Sequence, residues 1–411
     1  MRPVELLTLA LALFATSGCQ GKLDGSLPAG AGAEPAASPG ATPASSPEAG
    51  PQGIEVLSPD ASRAYMAKLA PMIVRRGLSI DELDLLEGEG GTVIPEMLDA
   101  WVAEDSLGDA ARQLLSDRLA TAGSRDGIDF DLPGNLAAEL ARADRAWSEI
   151  VTSDTCYDAA GTPIACDTGA PYTAGVLTTR AYLVSRRSRF NLTRASTMMK
   201  FFMCAGYPNA EQPNVPRESL LPLFQARSAD EQTDERAIGG FGNGDGCYQC
   251  HGQFAPHAQL FVKFDNTGLW IADATGEQDP EGELGRSYGE LMASHFTDPV
   301  ERASERTDMY GVAVDDAAGA ARVMAGTGVF WTCQIRNLIA FVLGLEITVP
   351  IPERVLDDIL HEARGLSASP SFADLIVSIF VNVEVANAVV ASLGIPGTEP
   401  AGDALGSEAT P

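Results

Sequence analysis

Apolar residues recur at helical spacing through most of the chain between about residues 60 and 390. Tyr65, Leu69, Met72 and Ile73 lie three or four residues apart, and Ser79 opens a Ser-Ile-Asp-Glu sequence typical of a helix start. Similar stripes lie at 97–102, 109–119, 136–150, 315–325, 330–343, 352–364 and 372–393. The pattern therefore predicts a mainly α fold.

The two ends of the chain lack this pattern. Residues 20–53 are rich in Gly, Ala, Pro and Ser, and the segment after Pro396 has a similar composition with added acidic residues. Such sequences bury too little apolar surface to fold. We expect a flexible tether at 19–53 and a disordered tail at 395–411.

The first residues resemble a bacterial export signal. Arg2 supplies a positive charge, residues 6–15 are apolar, and Thr16-Ser17-Gly18 places small residues before Cys19. This pattern predicts a signal peptide at 1–18 and acylation of Cys19, although cleavage of an ordinary signal peptide nearby is the alternative. Gln20, rather than Asp, favours the outer membrane. No other apolar run approaches the roughly 18–20 residues of a membrane span, so we expect attachment through a lipid.

Acidic residues outnumber basic ones by two to one. The chain has 28 Lys and Arg against 56 Asp and Glu, for a net charge of −28. So acidic a surface argues against binding to nucleic acid or to anionic lipid headgroups. It favours solubility or a basic partner protein.

The most specific motif is the CxxCH sequence at Cys247-Tyr-Gln-Cys250-His251. In a helix, positions i, i+3 and i+4 share one face. Two thiols and an imidazole in this arrangement are typical of covalent attachment of one haem c, with His251 as the proximal iron ligand. A zinc site would need further ligands from His257, Cys204 or Cys333, and none of these forms a second such motif. A disulfide within the motif is a further alternative.

The remaining cysteines suit an oxidising compartment. Cys156 and Cys166 flank a short loop and are expected to form a local disulfide. Cys204 and Cys333 either form a second disulfide across the middle of the chain or stay as two buried thiols.

A haem iron held by His251 has a second axial position. The layout of cytochromes that bring a Met from a loop before the last helix favours Met309. Met292, His295 or an open position are the alternatives, while Met324 is expected in a helix core. An open position would permit small-ligand chemistry.

Residues near the motif suggest its surroundings. Phe261, Phe264 and Trp270 could form an apolar wall, and Asp265 and Gly268 are typical turn residues. A basic cluster precedes the motif and could meet haem propionates or pair with local carboxylates; it comprises Arg186, Arg187, Arg189 and Arg194.

The run CYQCHGQFAPHAQLFVKFDNTGLW resembles the planctomycete-type cytochrome-associated domains, with CxxCH, then Asp-Pro, then Phe-Asp-x-x-Gly. Ala255 stands where that pattern has Asp. The later stretch from Phe330 to Gly344 is similar to the small helical domain that follows in the family. The resemblance implies a mainly α chain with a helical domain at 54–215, a c-type cytochrome-like haem domain at 216–328 and a helical C-terminal domain at 329–394.

These features favour a lipid-anchored monohaem electron carrier that serves a redox partner protein in the cell envelope. One alternative is an envelope structural or binding lipoprotein in which haem stabilises the fold. Another is a haem peroxidase or oxidase-like enzyme, although the single CxxCH argues against a dihaem peroxidase.

Overall fold

Helices dominate the computed structural model, which describes residues 53–186, 190–205, 257–272, 305–344 and 351–395. These residues are 62% helical with a few short strands, which confirms the mainly α fold. Most of the expected haem domain at 216–328 lies outside the described residues, so that assignment stays a prediction.

The first part of the chain forms short helices, of which α1, α2 and α7 begin at a side-chain cap. The Ser79 hydroxyl accepts from the Glu82 N–H, while the Glu82 side chain accepts from the Ser79 N–H, which confirms the capped start expected from the sequence. The helices here are α1 Pro59–Ile73, α2 Ile80–Glu89, α3 Ile94–Val102, α4 Ser106–Leu119, α5 Leu132–Arg142, α6 Glu149–Thr152, α7 Arg180–Ser185 and α8 Phe190–Phe202.

The stripe at 136–150 does not form the single helix that its spacing predicts. Helix α5 ends at Arg142, and Asp144 then adopts a positive φ of 49°. The backbone N–H of Trp147 binds Pro370 O at 2.9 Å instead of continuing a helix. The chain turns here because Trp147 packs into the core against the C-terminal helices.

The last part of the chain contains the other described helices: α9 Ala317–Ala325, α10 Gly328–Leu343, α11 Glu353–Leu366, α12 Phe372–Phe380 and α13 Val383–Ser392. The predicted stripe at 372–393 is divided because Asn382 caps α13 by accepting from the N–H groups of Glu384 and Val385. Within the described residues, no helix alone is long and apolar enough to span a membrane; α12 and α13, bent by 67°, pass by length and composition only when combined.

The described strands form three antiparallel hairpins that periodicity did not predict. They are β1 Ser124–Arg125 with β2 Ile128–Asp129, β3 Cys156–Tyr157 with β4 Pro163–Ile164, and β5 Thr307–Met309 with β6 Val312–Val314. In the third hairpin Tyr310 and Gly311 both have positive φ, 51° and 80°, which suits the twist of a two-residue turn.

One hydrophobic core joins the early and late helices. The Tyr65 hydroxyl on α1 donates to Phe380 O on α12 at 2.9 Å. Trp147 packs against Phe372 with ring centroids 4.7 Å apart, and its Nε1 donates to Gln334 Oε1 at 3.2 Å. All the described residues belong to one compact unit. The expected boundary at 328/329 falls just after Gly328, the first residue of α10. The buried residues of α9 and α10 share that core, and the division into domains stays a prediction.

Two disulfides join four of the cysteines; the first is the expected local one, and the second is one of the two alternatives that the sequence left open for Cys204 and Cys333. Cys156 and Cys166 link the region of β3 and β4, and Cys204, just after α8, is bonded to Cys333 on α10. The Cα atoms of each pair are 5.2 Å apart. Phe201 O next to the second disulfide accepts from Asn337 Nδ2 at 2.7 Å, so a hydrogen bond and a covalent bond together hold α8 to α10.

Candidate functional site

The CxxCH motif itself lies outside the described residues. The structure describes the chain up to Ala205 and again from His257. The expected roles of the following residues therefore stay predictions: Cys19, Cys247, Cys250, His251, Met292 and His295. The structure describes the segments that precede and follow this part of the sequence, 190–205 and 257–272.

Both described segments enter the same apolar core. Helix α8 packs against the 3₁₀ turn Gln259–Phe261, which follows the motif in sequence. Helix α9 packs against this turn and against β5. Most of the buried side chains on these elements are apolar: Met198, Met199, Phe202, Leu260, Phe261, Met309, Ala317, Ala320, Ala321 and Met324. Helix α8 also buries three polar side chains, those of Asn191, Arg194 and Thr197. The apolar side chains exclude water from this part of the core.

The aromatic residues expected to form an apolar wall have different surroundings. Phe261 is fully buried, with its ring centroid 6.1 Å from that of Tyr182. Phe264 is buried with its ring edge-on to Tyr172, at 6.4 Å. Trp270 is only partly buried. The two phenylalanines are thus core residues, and the tryptophan lies closer to the surface.

The Phe-Asp-x-x-Gly sequence forms a tight turn. Asp265 Oδ1 accepts from the Thr267 N–H at 2.8 Å and from the Leu269 N–H at 2.9 Å. Gly268 has a φ of 77°, and a Cβ there would lie 3.1 Å from the Cα of Arg180. These contacts confirm that Asp265 and Gly268 are turn residues. The Asp265 carboxylate accepts hydrogen bonds from backbone N–H groups of the turn, and only glycine combines the positive φ with so short a distance to Arg180.

Arg194 binds the backbone of this turn. Its side chain is fully buried, and its guanidinium donates to Leu183 O at 3.0 Å, Phe264 O at 2.7 Å and Asp265 O at 2.6 Å. Within the described residues, the basic cluster thus contributes a backbone clamp, a role that neither the propionate nor the local-carboxylate hypothesis foresaw. Arg186 likewise donates to a backbone oxygen, that of Arg118, at 3.2 Å. Arg187 and Arg189 lie outside the described residues.

A buried carboxyl group that the sequence did not single out lies beside the turn. Glu305 is 7% exposed; its Oε1 accepts from the Tyr172 hydroxyl and its Oε2 from Trp270 Nε1 at 3.4 Å. Burial raises the pKa of Glu305 to about 7, against the lowering effect of the hydrogen bonds from Tyr172 and Trp270. Burial also raises the pKa of Tyr172. Glu305 sits in a polar stretch, so no periodic signal marked it as buried.

His257 connects the segment after the motif to the hairpin that carries Met309. It is partly buried, and burial lowers its pKa to about 4, opposed by the nearby carboxylate of Asp308. Its imidazole is therefore neutral at neutral pH. Because Asp308 lies close enough to act on His257, the hairpin lies beside the chain that leaves the motif.

Met309, the favoured sixth ligand, is fully buried at the end of β5. It precedes α9, as expected, but lies on a strand of a hairpin and not in a loop. Met324, expected in the helix core, is fully buried on α9. No distance from Met309 to His251 follows, because His251 is outside the described residues.

The described residues restrict the alternatives for metal binding. Among them, no group of three or more His, Cys, Asp or Glu is arranged to hold a metal ion. Cys204 and Cys333 are bonded to each other and so cannot supply thiolates to a zinc site that includes the motif. Of the seven cysteines, four are in disulfides, which leaves Cys19, Cys247 and Cys250.

Comparisons with protein-family models, with curated proteins and with solved structures found no match to this chain. The resemblance to the planctomycete-type cytochrome-associated domains therefore rests on the motifs alone.

Proposed function

We propose that this chain is a lipid-anchored monohaem c-type cytochrome-like protein that transfers electrons in the cell envelope. The observation that carries the proposal is the CxxCH sequence at Cys247, Cys250 and His251. Its two thiols and its imidazole are the donor set of a covalently attached c-type haem.

The cysteine pairing supports haem over zinc. A structural zinc site needs four ligands, and the disulfide between Cys204 and Cys333 removes two of the thiols that could complete one. His257 is the remaining candidate from that set. It follows His251 by only six residues. The donor set that is left fits two thioether bonds and one axial imidazole.

The described residues that precede and follow the motif in sequence also support the proposal. A bound haem would supply one-electron redox chemistry, with Cys247 and Cys250 as its covalent attachments and His251 as an iron ligand. The buried Phe261 and the apolar side chains of α8 and α9 form a water-excluding core within the described residues. Met309, fully buried at the end of β5, is the residue whose thioether we propose would be the second protein ligand of the iron.

The sequence and the disulfides support an envelope location. Disulfides persist in oxidising compartments, and the structure contains two. Cys19 follows an export-like segment, and we propose that it is acylated and anchors the protein to the outer membrane. The net charge of −28 suits a basic redox partner.

Optical spectroscopy of the exported protein tests the proposal. The protein is produced with an intact cytochrome c maturation system, and spectra are recorded oxidised, reduced, and reduced with carbon monoxide. A sharp six-coordinate c-type spectrum that carbon monoxide leaves unchanged supports electron transfer. A high-spin ferric spectrum that responds to peroxide would favour an enzyme instead.

A haem-stained denaturing gel tests the attachment residues. Cys247→Ala with Cys250→Ala should abolish the stained band, and His251→Ala should reduce it. Cys19→Ala is the matched control, because it removes a cysteine outside the motif and should leave the stain. A double cysteine variant that still stains, or a wild-type protein that matures without covalent haem, would refute the proposal.

A further inference from the structure

One buried carboxyl group joins three segments that are distant in the sequence. Glu305, just before β5, accepts through Oε1 from the Tyr172 hydroxyl and through Oε2 from Trp270 Nε1 at 3.4 Å. Tyr172 lies in the loop 167–172, and Trp270 lies in the segment 263–272 that contains the Phe-Asp-x-x-Gly turn. The side chain of Glu305 therefore holds the start of the third hairpin against both of these segments.

This carboxyl group is shielded from water and lacks a counter-ion. Glu305 is 7% exposed, and none of the ion pairs among the described residues includes it. The ammonium of Lys263 acts on it electrostatically, but lies over the Trp270 ring, 5.1 Å from the centroid, and donates to Ala272 O at 3.4 Å. Asp316, which caps α9, adds a negative charge nearby. A carboxylate at this position would therefore be poorly compensated.

The protonated carboxyl group suits these surroundings better than the ionised one. When protonated, it is neutral and can pair with both Tyr172 and Trp270. When ionised, it has two hydrogen bonds from neutral donors in place of full hydration, and a buried charge of this kind is costly. Burial accordingly raises the pKa of Glu305 to about 7. Burial also raises the pKa of Tyr172, so its hydroxyl stays a neutral donor while Glu305 titrates.

The hairpin end can separate from the other two segments without disturbing a helix. Glu305, Tyr172 and Trp270 all lie outside the helices and the hairpin strands. Strands β5 and β6 pair with each other, so the hairpin keeps its backbone hydrogen bonds when the carboxyl group leaves. Met309 at the other end of β5 is fully buried and can stay packed in the core. We therefore expect a local motion at the end of the hairpin where Glu305 lies.

We propose that Glu305 is a pH-sensitive switch whose protonated carboxyl group holds the start of the third hairpin against Tyr172 and Trp270, and whose ionisation releases it into water. Below about pH 4.5 the closed arrangement is at its most stable, and it weakens as the pH rises toward 7. Between about pH 5 and about pH 8 the equilibrium shifts toward release by roughly 70-fold. The proposal does not depend on the haem, so it stands or falls separately from the proposed function.

Hydroxyl-radical footprinting of the full chain tests the switch at the side chains concerned. Radicals are generated by X-ray radiolysis at about pH 5 and about pH 8, and mass spectrometry measures the oxidation of each side chain. Labelling of Tyr172 and Trp270 should increase severalfold at the higher pH. Labelling of Tyr65 and Trp147, which are buried in the core that joins the early and late helices, should stay low. Parallel increases at all four residues would show that the whole fold loosens, and would overturn the proposal.

The variant Glu305→Gln should keep the closed arrangement at both pH values. Its amide is neutral, and it can accept from Trp270 Nε1 while it donates to the Tyr172 hydroxyl oxygen. Glu87→Gln is the charge-matched control, because Glu87 is exposed on α2, and it should respond to pH as wild type does. Tyr172→Phe removes one of the two partners and should raise the labelling of Trp270 already at the lower pH. The proposal is overturned if Glu305→Gln responds to pH like wild type, or if wild type does not respond.

Quenching of tryptophan fluorescence by acrylamide follows the same motion continuously. Trp101, Trp147 and Trp331 are buried, whereas Trp270 is partly buried. Quenching should therefore increase as the pH rises from about 5 to about 8, because Trp270 loses its partner. Trp270→Phe should abolish this increase. An increase that persists in Trp270→Phe would assign the motion to another part of the chain and contradict the proposal.

Discussion

Arg194 shows how one side chain can organise two distant parts of the chain. Its guanidinium donates to Leu183 O near the end of α7 and to Phe264 O and Asp265 O in the turn beyond the CxxCH motif. A buried charge is tolerated only when hydrogen bonds replace its hydration. The three carbonyls therefore stabilise the charge, and the charge in turn fixes the backbone of the turn.

Replacing Arg194 by Lys should lower the free energy of unfolding by about 2–4 kcal/mol, because an ammonium cannot reproduce the planar fork and leaves buried carbonyls unpaired. Chemical denaturation measures the change. Arg63→Lys is the matched control, since Arg63 pairs with Asp60 at an exposed position and should shift stability by less than about 0.5 kcal/mol. Equal effects of the two variants would show that the clamp contributes nothing.

Glu305 should make stability depend on pH. Its pKa in the folded protein is about 7, above the usual value of 4.5, so the folded state binds the proton more tightly than the unfolded state. Stability is then fully present below about pH 4.5 and falls as the pH rises toward 7, by an amount on the order of 3 kcal/mol. The groups around the carboxyl are Tyr172, Trp270, Lys263 and Asp316.

Glu305→Gln should remove most of that fall, because the amide stays neutral and can still accept from the Tyr172 hydroxyl. Thermal midpoints between about pH 5 and about pH 8 measure the slope. Glu87→Gln, at an exposed position on α2, should leave the slope as in wild type. A slope that persists unchanged in Glu305→Gln would assign it to other groups.

The proposed axial role of Met309 can be separated from its packing. Met309→Leu keeps nearly the same volume in the core but removes the thioether sulfur. If Met309 is the sixth ligand, the variant should shift the ferric haem toward a high-spin spectrum. Met324→Leu, at an equally buried methionine on α9, should leave the spectrum unchanged. An unaltered spectrum for Met309→Leu would exclude it and favour Met292 or His295.

At the scale of elements, periodicity predicted the helices well where their buried faces are regular. The stripe at 330–343 became α10 and the stripe at 315–325 became α9. Periodicity failed at Asp144 and at Asn382, where the pattern continues but the chain turns. The first turn arises from tertiary contacts of Trp147 and the second from a helix cap at Asn382. Neither cause can be predicted from the spacing of apolar residues.

The hairpins were missed for a different reason. Each strand is only two or three residues long, which is too short to show alternation. The turn at Tyr310 and Gly311 is defined by backbone conformation. The position of Met309 on a strand therefore followed only from the structure.

The two disulfides should stabilise the chain unequally. The Cys204–Cys333 bond closes a loop of 129 residues, whereas Cys156–Cys166 closes one of 10. The loss of loop-closure entropy predicts a cost of about 5 kcal/mol for Cys204→Ser/Cys333→Ser and about 3 kcal/mol for Cys156→Ser/Cys166→Ser. Denaturant titration under non-reducing conditions measures both. A larger effect at the short loop would contradict the argument from loop length.

At the scale of the molecule, the core does not stop at the sequence-predicted boundary at 328/329. Tyr65 on α1 binds Phe380 O on α12, and Trp147 lies against Phe372. The sequence showed which helix faces are apolar but not which of them pack together, because the spacing of apolar residues in one helix does not specify the helix that it contacts. The candidate site had the same limit: the motif was readable in the sequence, whereas the roles of Arg194 and Glu305 depend on contacts more than 60 residues away.

A shared core predicts cooperative unfolding of α1, α12 and the helices between them. Far-ultraviolet circular dichroism and tryptophan fluorescence should give the same denaturation midpoint, because Trp101 and Trp147 are buried in that core. Two separated transitions would indicate that the C-terminal helices unfold as an independent unit. Trp147→Phe provides a check, since it should lower both midpoints together.

The bond between Cys204 and Cys333 also has a consequence for how the protein is made. Cys247 and Cys250 lie inside the loop that it closes. If the chain is exported from its N-terminus, as proposed, Cys204 emerges after Cys156 and Cys166 and before Cys247, Cys250 and Cys333. The two motif thiols are then available to Cys204 before its native partner Cys333. Unless the motif cysteines are kept reduced or are already bonded, an excess of oxidant during export should trap Cys204 in mixed pairs and lower the yield of the native protein.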